Sequence, residues 1–271
     1  MLGENQYGKS EIRVVKVDGE SLRDLTVDVT LRGDFDTVHV DGDNTGLVAT
    51  DTMRNVVYAF AAEHPLDSLP RFGEELVRHF IGVSPVRTAG VRIREHSWQP
   101  LGDPHAFQRG AGGTRVEIVE GDADGMRHSA GIEDLLVMRT AGSAFAGFDR
   151  DRFTTLPETD DRILATIVAG RWDYAADADD LEGAWPGVRD TLLTAFTDHH
   201  SPSVQFTLAH MGEAVLAAHR EVERIHLTLP NRHHLPFDVS RFGVEDRGEV
   251  FHATTEPYGL IEATIEREGS D

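Results

Sequence analysis

The chain has 271 residues, enough for one large domain or two modest ones, with 39% hydrophobic residues and a formal net charge of −21. That charge argues against nucleic acid or an anionic membrane surface as a partner, so an anionic substrate needs a local positive site. The absence of cysteine excludes disulfides, thiolate metal sites and cysteine nucleophiles. No apolar run reaches the roughly 18 residues of a membrane-spanning helix. The polar N-terminus MLGENQYGKSEIR lacks the apolar region of a signal peptide, and the C-terminus IEREGSD carries no Ser-Lys-Leu-type peroxisomal address. A soluble, cytoplasmic protein is expected.

In chain order, Glu11–Val17 and Leu25–Arg32 alternate apolar and polar residues and predict a hairpin. A short strand is expected at Gly46–Ala49. A helix should follow it, with Val56, Val57, Phe60 and Ala61 at helical spacing, Thr50 or Asp51 as N-cap, and His64-Pro65 as its end. Leu69–Ile81 is a second amphipathic helix, with Phe72, Leu76, Phe80 and Ile81 on one face. A strand is expected between Val83 and Trp98, a glycine-rich turn over Phe107–Arg115, and another strand over Arg115–Glu120. The second half predicts strands at Leu135–Thr140 and from Arg162 to Tyr174, then a helix at Val188–His200. An extended start at Val204–Leu208 leads into a helix from Met211 to Val222, with Met211, Val215, Leu216 and Ala218 facing inward. Strands at Ile225–Leu229 and Leu260–Ile265 complete it. Strands, helices and strands, twice over, describe two α+β halves with antiparallel sheets and helices on one face. The polar stretch Ser129–Glu133 marks the boundary, giving units of 1–132 and 133–271. Thr50-Asp51 and Thr159-Asp160 form a weak internal echo.

Chemistry can sit at a few places. A strand feeding a capped helix at Thr50-Asp51 offers free backbone N–H groups to an anionic or carbonyl-rich ligand. Lys9, read alone, is a solvated lysine; beside a hydroxyl such as that of Thr50, a buried lysine can act as a base through it. Phe145 and Phe148 flank a glycine, so a ring can lie over a flat ligand. Arg162 either pairs with Asp160 or Asp161 or presents its planar fork to a planar anion. Gln205, in Ser201-Pro202-Ser203-Val204-Gln205, offers donor and acceptor to a heterocycle edge if its amide faces a ligand. The pairs His199-His200 and His233-His234 suggest a metal at first sight. Neighbours on a strand point to opposite faces and no metal-binding spacing supports them, so no metal is expected and a proton-relay histidine fits better.

Six segments in order carry a resemblance: YGK (7–9), DNTGLVATDTMRNVVYAFAAEH (43–64), FDRDRFTTLPETDDRILAT (148–166), SPSVQ (201–205), PNRHHLPFDVSRFG (230–243) and EVFHATTEPYGLIEATI (249–265). Together they resemble urate oxidase (uricase) of bacterial type, over nearly the whole chain. The resemblance implies two tandem tunnelling-fold (T-fold) units per chain, assembled as a homotetramer with active sites between subunits. It implies an oxidoreductase of purine catabolism that oxidises urate with O2 and water to 5-hydroxyisourate and hydrogen peroxide, with no cofactor and O2 as co-substrate. Carried over residue by residue, Lys9, Thr50 and His233 match the proton-handling triad, and Phe145 the stacking aromatic. Arg162 and Gln205 match the pair that clamps the purine edges. Val204 and Thr50-Asp51 match further ligand contacts, and Asn231 matches the residue beside the O2 or water position. Arg232 stands where the family often has lysine. The alternative is a tunnelling-fold enzyme or binding protein for another purine or a pterin. Such relatives generally anchor the ring with a glutamate and often use a metal.

Overall fold

The computed structural model describes residues 2–267; the C-terminal residues bearing on the peroxisomal address lie partly outside that range. The chain divides into two compact units, one of residues 1–131 with 173–185, the other of residues 132–172 with 186–271.

The first unit opens with the predicted hairpin, β1 (Tyr7–Asp18) and β2 (Ser21–Gly33), paired antiparallel. A short helix α1 (Asp36–Val40) follows, then α2 (Thr50–Glu63) and α3 (Leu69–Ile81). The sheet resumes with β3 (Val86–Glu95), and β4 (Trp98–Pro100) and β5 (Phe107–Arg109) form a small separate ribbon. It ends with β6 (Thr114–Gly121) and the first part of β7 (Met126–Arg139), in the order β1-β2-β3-β6-β7. The helices exist because their apolar residues recur on one face. Met53, Val57 and Ala61 of α2 are buried, as are Leu69, Phe72, Leu76, Val77 and Phe80 of α3. They pack over Val27, Val29, Val91 and Ile93 of the sheet. Burying each large side chain contributes about 1.5–3 kcal/mol, so this core sets which sheet face the helices cover.

The second unit repeats the order of strands and helices. The latter part of β7 is followed by β8 (Leu164–Tyr174), α4 (Leu181–Thr197), α5 (Val204–Ala218), β9 (Val222–Thr228) and, at its end, β13 (Glu262–Glu266). The strand order is β7-β8-β9-β13. Between β9 and β13 lie β10 (Asn231–Arg232), β11 (His234–Pro236), a 3-10 turn (Ser240–Phe242) and β12 (Phe251–Ala253). β10 pairs with β8, and β11 with β12. Trp172, Val188, Leu192, Leu208, Val215, Ile225 and Leu227 are fully buried. This is an α+β chain of two tandem T-fold units.

Six local expectations are corrected. Gly46–Ala49 forms no strand: Thr45 and Gly46 make a turn, with Gly46 at a positive φ of 79°, and 47–49 are irregular. The N-cap of α2 is Ala49, and Thr50 and Asp51 are its first helical residues; neither side chain caps the helix. Phe107–Arg115 is not one turn, since Phe107–Arg109 pairs with Trp98–Pro100. Val204–Leu208 is helical from its first residue. Ser203 caps α5 by accepting a hydrogen bond from the Phe206 N–H (3.1 Å), and a serine cap overrides the apparent strand character of the run. Ala218, expected to face inward, is exposed where α5 ends. The echo of Thr50-Asp51 is not structural, since Thr159 bridges Phe145 and opens no helix.

Candidate active site

In the first unit, the run Tyr7-Gly8-Lys9 is set by close packing. A Cβ on Gly8 would lie 2.0 Å from the Val29 carbonyl oxygen, so only glycine lets β1 approach β2 there. Tyr7 packs edge-on against Phe35 at 4.8 Å, and its hydroxyl accepts a hydrogen bond from the Val48 N–H (3.0 Å). That bond ties the start of β1 to the segment leading into α2. Lys9 is half-buried next to an irregularity of β1, where Glu11 takes φ 59° and its N–H donates to the Asp28 carboxylate at 2.7 Å. Thr50 is exposed in the first turn of α2. Asp51 pairs with Arg54 at 2.6 Å and accepts from the Asn55 amide at 3.1 Å.

In the second unit the expected residues are held by backbone. Phe145 exchanges both backbone hydrogen bonds with Thr159 (2.8 and 3.0 Å). Its ring stacks on Phe148 at 4.9 Å, 17° from parallel, and the Arg162 guanidinium lies 5.0 Å from its centroid. Arg162 makes no ion pair among the described residues. Asp161 instead accepts from the N–H groups of Gly142 (2.7 Å) and Ser143 (3.3 Å). The Arg162 N–H donates to the Ser143 carbonyl at 2.7 Å. Burial pulls the Arg162 pKa below the ordinary arginine range, and its buried Nε has no hydrogen-bond partner; the group stays cationic. A half-buried guanidinium over an aromatic ring, with no ion pair among the described residues, gives a chain of charge −21 a local positive site.

Ser201 joins this strap to α5. Its N–H donates to the Gly142 carbonyl (2.9 Å) and its carbonyl accepts from the Ala144 N–H (2.7 Å). Val204 and Gln205 follow as the first residues of α5, one buried and one exposed. Asn231, on β10, pairs with Thr166 of β8, and its N–H donates to the Gly259 carbonyl at 2.8 Å. His233 lies between β10 and β11, where its carbonyl accepts from the Thr254 N–H (2.9 Å). The second unit thus brings Phe145, Arg162, Val204 and Gln205 together through hydrogen bonds, and places Asn231 and His233 on the neighbouring β10 segment. Lys9, Thr50 and Asp51 belong to the first unit.

Sequence reasoning missed two features. Its argument from opposite strand faces does not apply to His199, which follows α4 and meets Asp198 and His210, the His210 Nε2 lying 2.8 Å from the Asp198 carboxylate. Both His199 nitrogens are already engaged, Nδ1 with the Ala195 carbonyl (2.8 Å) and Nε2 with the Thr207 hydroxyl (2.9 Å). The second is Glu117, fully buried on β6, whose carboxylate oxygens have no hydrogen-bond partner. The Arg115 guanidinium and the His128 imidazole each lie 3.9 Å away, and burial pushes the Glu117 pKa up to about 7. An acidic residue inside the alternating run Arg115–Glu120 was the available signal for it.

The family model for uricase matches residues 5–119 and 128–262. The uricase of Arthrobacter globiformis is 44% identical over 278 residues, covering 100% of this chain and 91% of that protein. That of Dictyostelium discoideum is 36% identical, covering 98% of each, and that of Aspergillus flavus is 33% identical, covering 97% of this chain and 95% of that one. The crystal structure of the Arthrobacter globiformis uricase superposes with a TM-score of 0.95 at 43% identity, covering 100% of this chain and 96% of that chain. A Bacillus fastidious uricase structure shares the fold, with a TM-score of 0.85 at 23% identity, covering 98% and 94%.

Proposed function

This chain belongs to the uricase family, and from that premise we propose how its residues oxidise urate. The reaction takes urate, O2 and water to 5-hydroxyisourate and hydrogen peroxide. Two electrons pass from the ring to O2, which leaves as the peroxide, and water supplies the hydroxyl oxygen. Urate is flat, anionic and electron-rich, so the protein has to hold the ring, move a proton and leave room for O2. No cofactor or metal is needed in this reading.

The observation that carries the assignment is the Arg162 guanidinium over the Phe145 ring, 5.0 Å away, on a strap that Ser201 joins to Val204 and Gln205. Phe145 stacks the purine. Arg162 and Gln205 take its edges, a cationic fork on the anionic side and an amide for donor and acceptor pairs. The Val204 N–H adds a backbone donor. Lys9 acts as base through the Thr50 hydroxyl, His233 completes the relay, and the Thr50-Asp51 backbone contacts the ring. Asn231 lies beside the position of O2 or water. The half-buried Lys9 and exposed Thr50 suit groups that face Phe145, Arg162 and Gln205 of another subunit. A homotetramer follows from this reading, as does a cytoplasmic enzyme; no described helix is long and apolar enough to cross a membrane. In this reading the two tandem repeats run from 1 to 132 and from 133 to 271, although residues 173–185 group with the first compact unit.

Purified protein, urate, air and a chelator, with nothing else added, test this in an ultraviolet assay. Loss of urate absorbance with one peroxide released per urate is the expected result. A reaction abolished by the chelator, or bound urate with no loss, overturns it.

A further inference from the structure

A chain of hydrogen bonds runs beneath the first turn of α5. The His199 Nδ1 faces the Ala195 carbonyl at 2.8 Å, and its Nε2 lies 2.9 Å from the Thr207 hydroxyl. The Thr207 hydroxyl donates to the Ser201 Oγ at 2.8 Å, and the Ser201 hydroxyl donates to the Ser203 carbonyl at 3.1 Å. Thr207 and Ser201 are both fully buried. The same Ser203 carbonyl accepts the first helical bond, from the Thr207 N–H at 3.1 Å. Two donors therefore fix its direction.

A peptide unit is planar, so fixing the Ser203 carbonyl fixes the Val204 N–H on the other side of the same plane. The Phe206 N–H is taken by the Ser203 side chain and the Thr207 N–H by the Ser203 carbonyl. Val204 and Gln205 are left with the first-turn N–H groups that have no partner among the described residues, as helix geometry requires of that turn. Ser201 also holds the Gly142–Ala144 strap through its own backbone, one residue before Phe145. One buried residue thus sets both the stacking ring and the edge donors.

We propose that Thr207, Ser201 and His199 are positioning residues for the substrate, aiming the Val204 N–H and the Gln205-bearing turn at the edge of the ring that Phe145 stacks. The inference rests on the reading of Phe145, Arg162, Val204 and Gln205 as ligand contacts. The chain acts on binding geometry and touches no reacting atom, so it governs affinity and leaves the proton relay alone.

Thr207→Val keeps the shape of the side chain and removes the hydroxyl, whereas Thr207→Ser keeps the hydroxyl. The readouts on the full-length enzyme are urate KM and kcat in air, and the Kd for urate titrated under nitrogen. Thr207→Val is expected to raise KM and Kd about tenfold, the scale of a lost buried hydrogen bond, with kcat within about threefold. Thr207→Ser is expected to restore both to within about twofold. Ser201→Ala breaks the chain one link further on and carries the same expectation where Thr207→Val fails to fold. An unchanged Kd in both hydroxyl-deleting variants overturns the inference. So does a parallel fall in kcat that Thr207→Ser does not restore, which marks a packing role. Arg162→Ala, assayed alongside, separates the two readings: if it loses urate while Thr207→Val does not, the site stands and the positioning chain falls, and if neither loses urate the site assignment itself fails.

Discussion

In the second unit, the candidate residues are fastened before any ligand arrives. Phe145, Arg162 and the start of α5 hang from backbone bonds of 2.7–3.0 Å through Thr159, Ser143 and Ser201, and the buried hydroxyls of Ser201 and Thr207 bond to one another. In the first unit the pattern is reversed. Lys9 and Thr50 make no side-chain hydrogen bond among the described residues, and one buried group there, the Glu117 carboxylate, has neither oxygen bonded, although the buried Asp24 and Thr26 side chains are. In the proposed reading, the difference follows from what each group must do. Residues that orient a rigid ring gain from being fixed, because ordering them at the moment of binding costs affinity. A lysine and a hydroxyl that pass a proton have to stay free to meet the substrate.

Lys9→Met tests the free half most sharply. It is expected to lower kcat about a thousandfold, the range of lost general-base catalysis, with urate Kd under nitrogen changed by less than threefold; retained turnover removes Lys9 from the relay. Next is Glu117→Gln, which leaves the site alone. Below pH 4.5 the carboxyl is protonated whether the chain is folded or unfolded, so it costs nothing. Between 4.5 and about 7 only the folded chain keeps the proton, and stability is lost as pH rises through that window. Above it the full penalty holds. Glu117→Gln is therefore expected to raise unfolding free energy by about 3 kcal/mol at pH 8 and not at pH 4, read from denaturant unfolding at both. A gain equal at the two pH values breaks the assignment.

The fastened half gives smaller effects on affinity. Arg162→Ala is expected to raise urate Kd about 100-fold, the scale of a two-pronged charge-assisted contact, with the melting temperature little changed. Asp161→Ala, which releases the N–H groups of Gly142 and Ser143, is expected to raise Kd about tenfold. Asp161→Asn keeps an acceptor and should recover most of that loss. If the alanine and asparagine variants bind alike, the strap does not position Phe145.

Periodicity in the sequence found most strands and the two long helices of the first unit because each of them buries one face; it passed over α1, which buries no residue. It failed where a single residue overrides the pattern. Gly46 turns the chain where a strand was expected, and the Ser203 side chain starts α5 inside a run that looks extended. The residue types of the proposed site were read from the order of six segments. The fastening was not, since it joins backbone groups as far apart as Gly142 and Ser201. Asp161 shows the limit most plainly. Beside Arg162 in sequence, it reads as its ion-pair partner, yet its carboxylate serves two backbone N–H groups and leaves the guanidinium unpaired.

The Phe145 ring has company on its surface: Phe148 at 4.9 Å and the Arg162 guanidinium at 5.0 Å. In the proposed reading, a purine that stacks on a face of Phe145 covered by one of them has to take its place. Binding is then a substitution, and its affinity is the difference between two stacks. The cation has shed much of its hydration during folding, so the ligand meets a charge that is already partly dry. A neutral flat ring offers little that Phe148 does not provide. An anionic edge can draw Arg162 off the ring face and uncover it in the same motion, which favours ligands that bring their own charge.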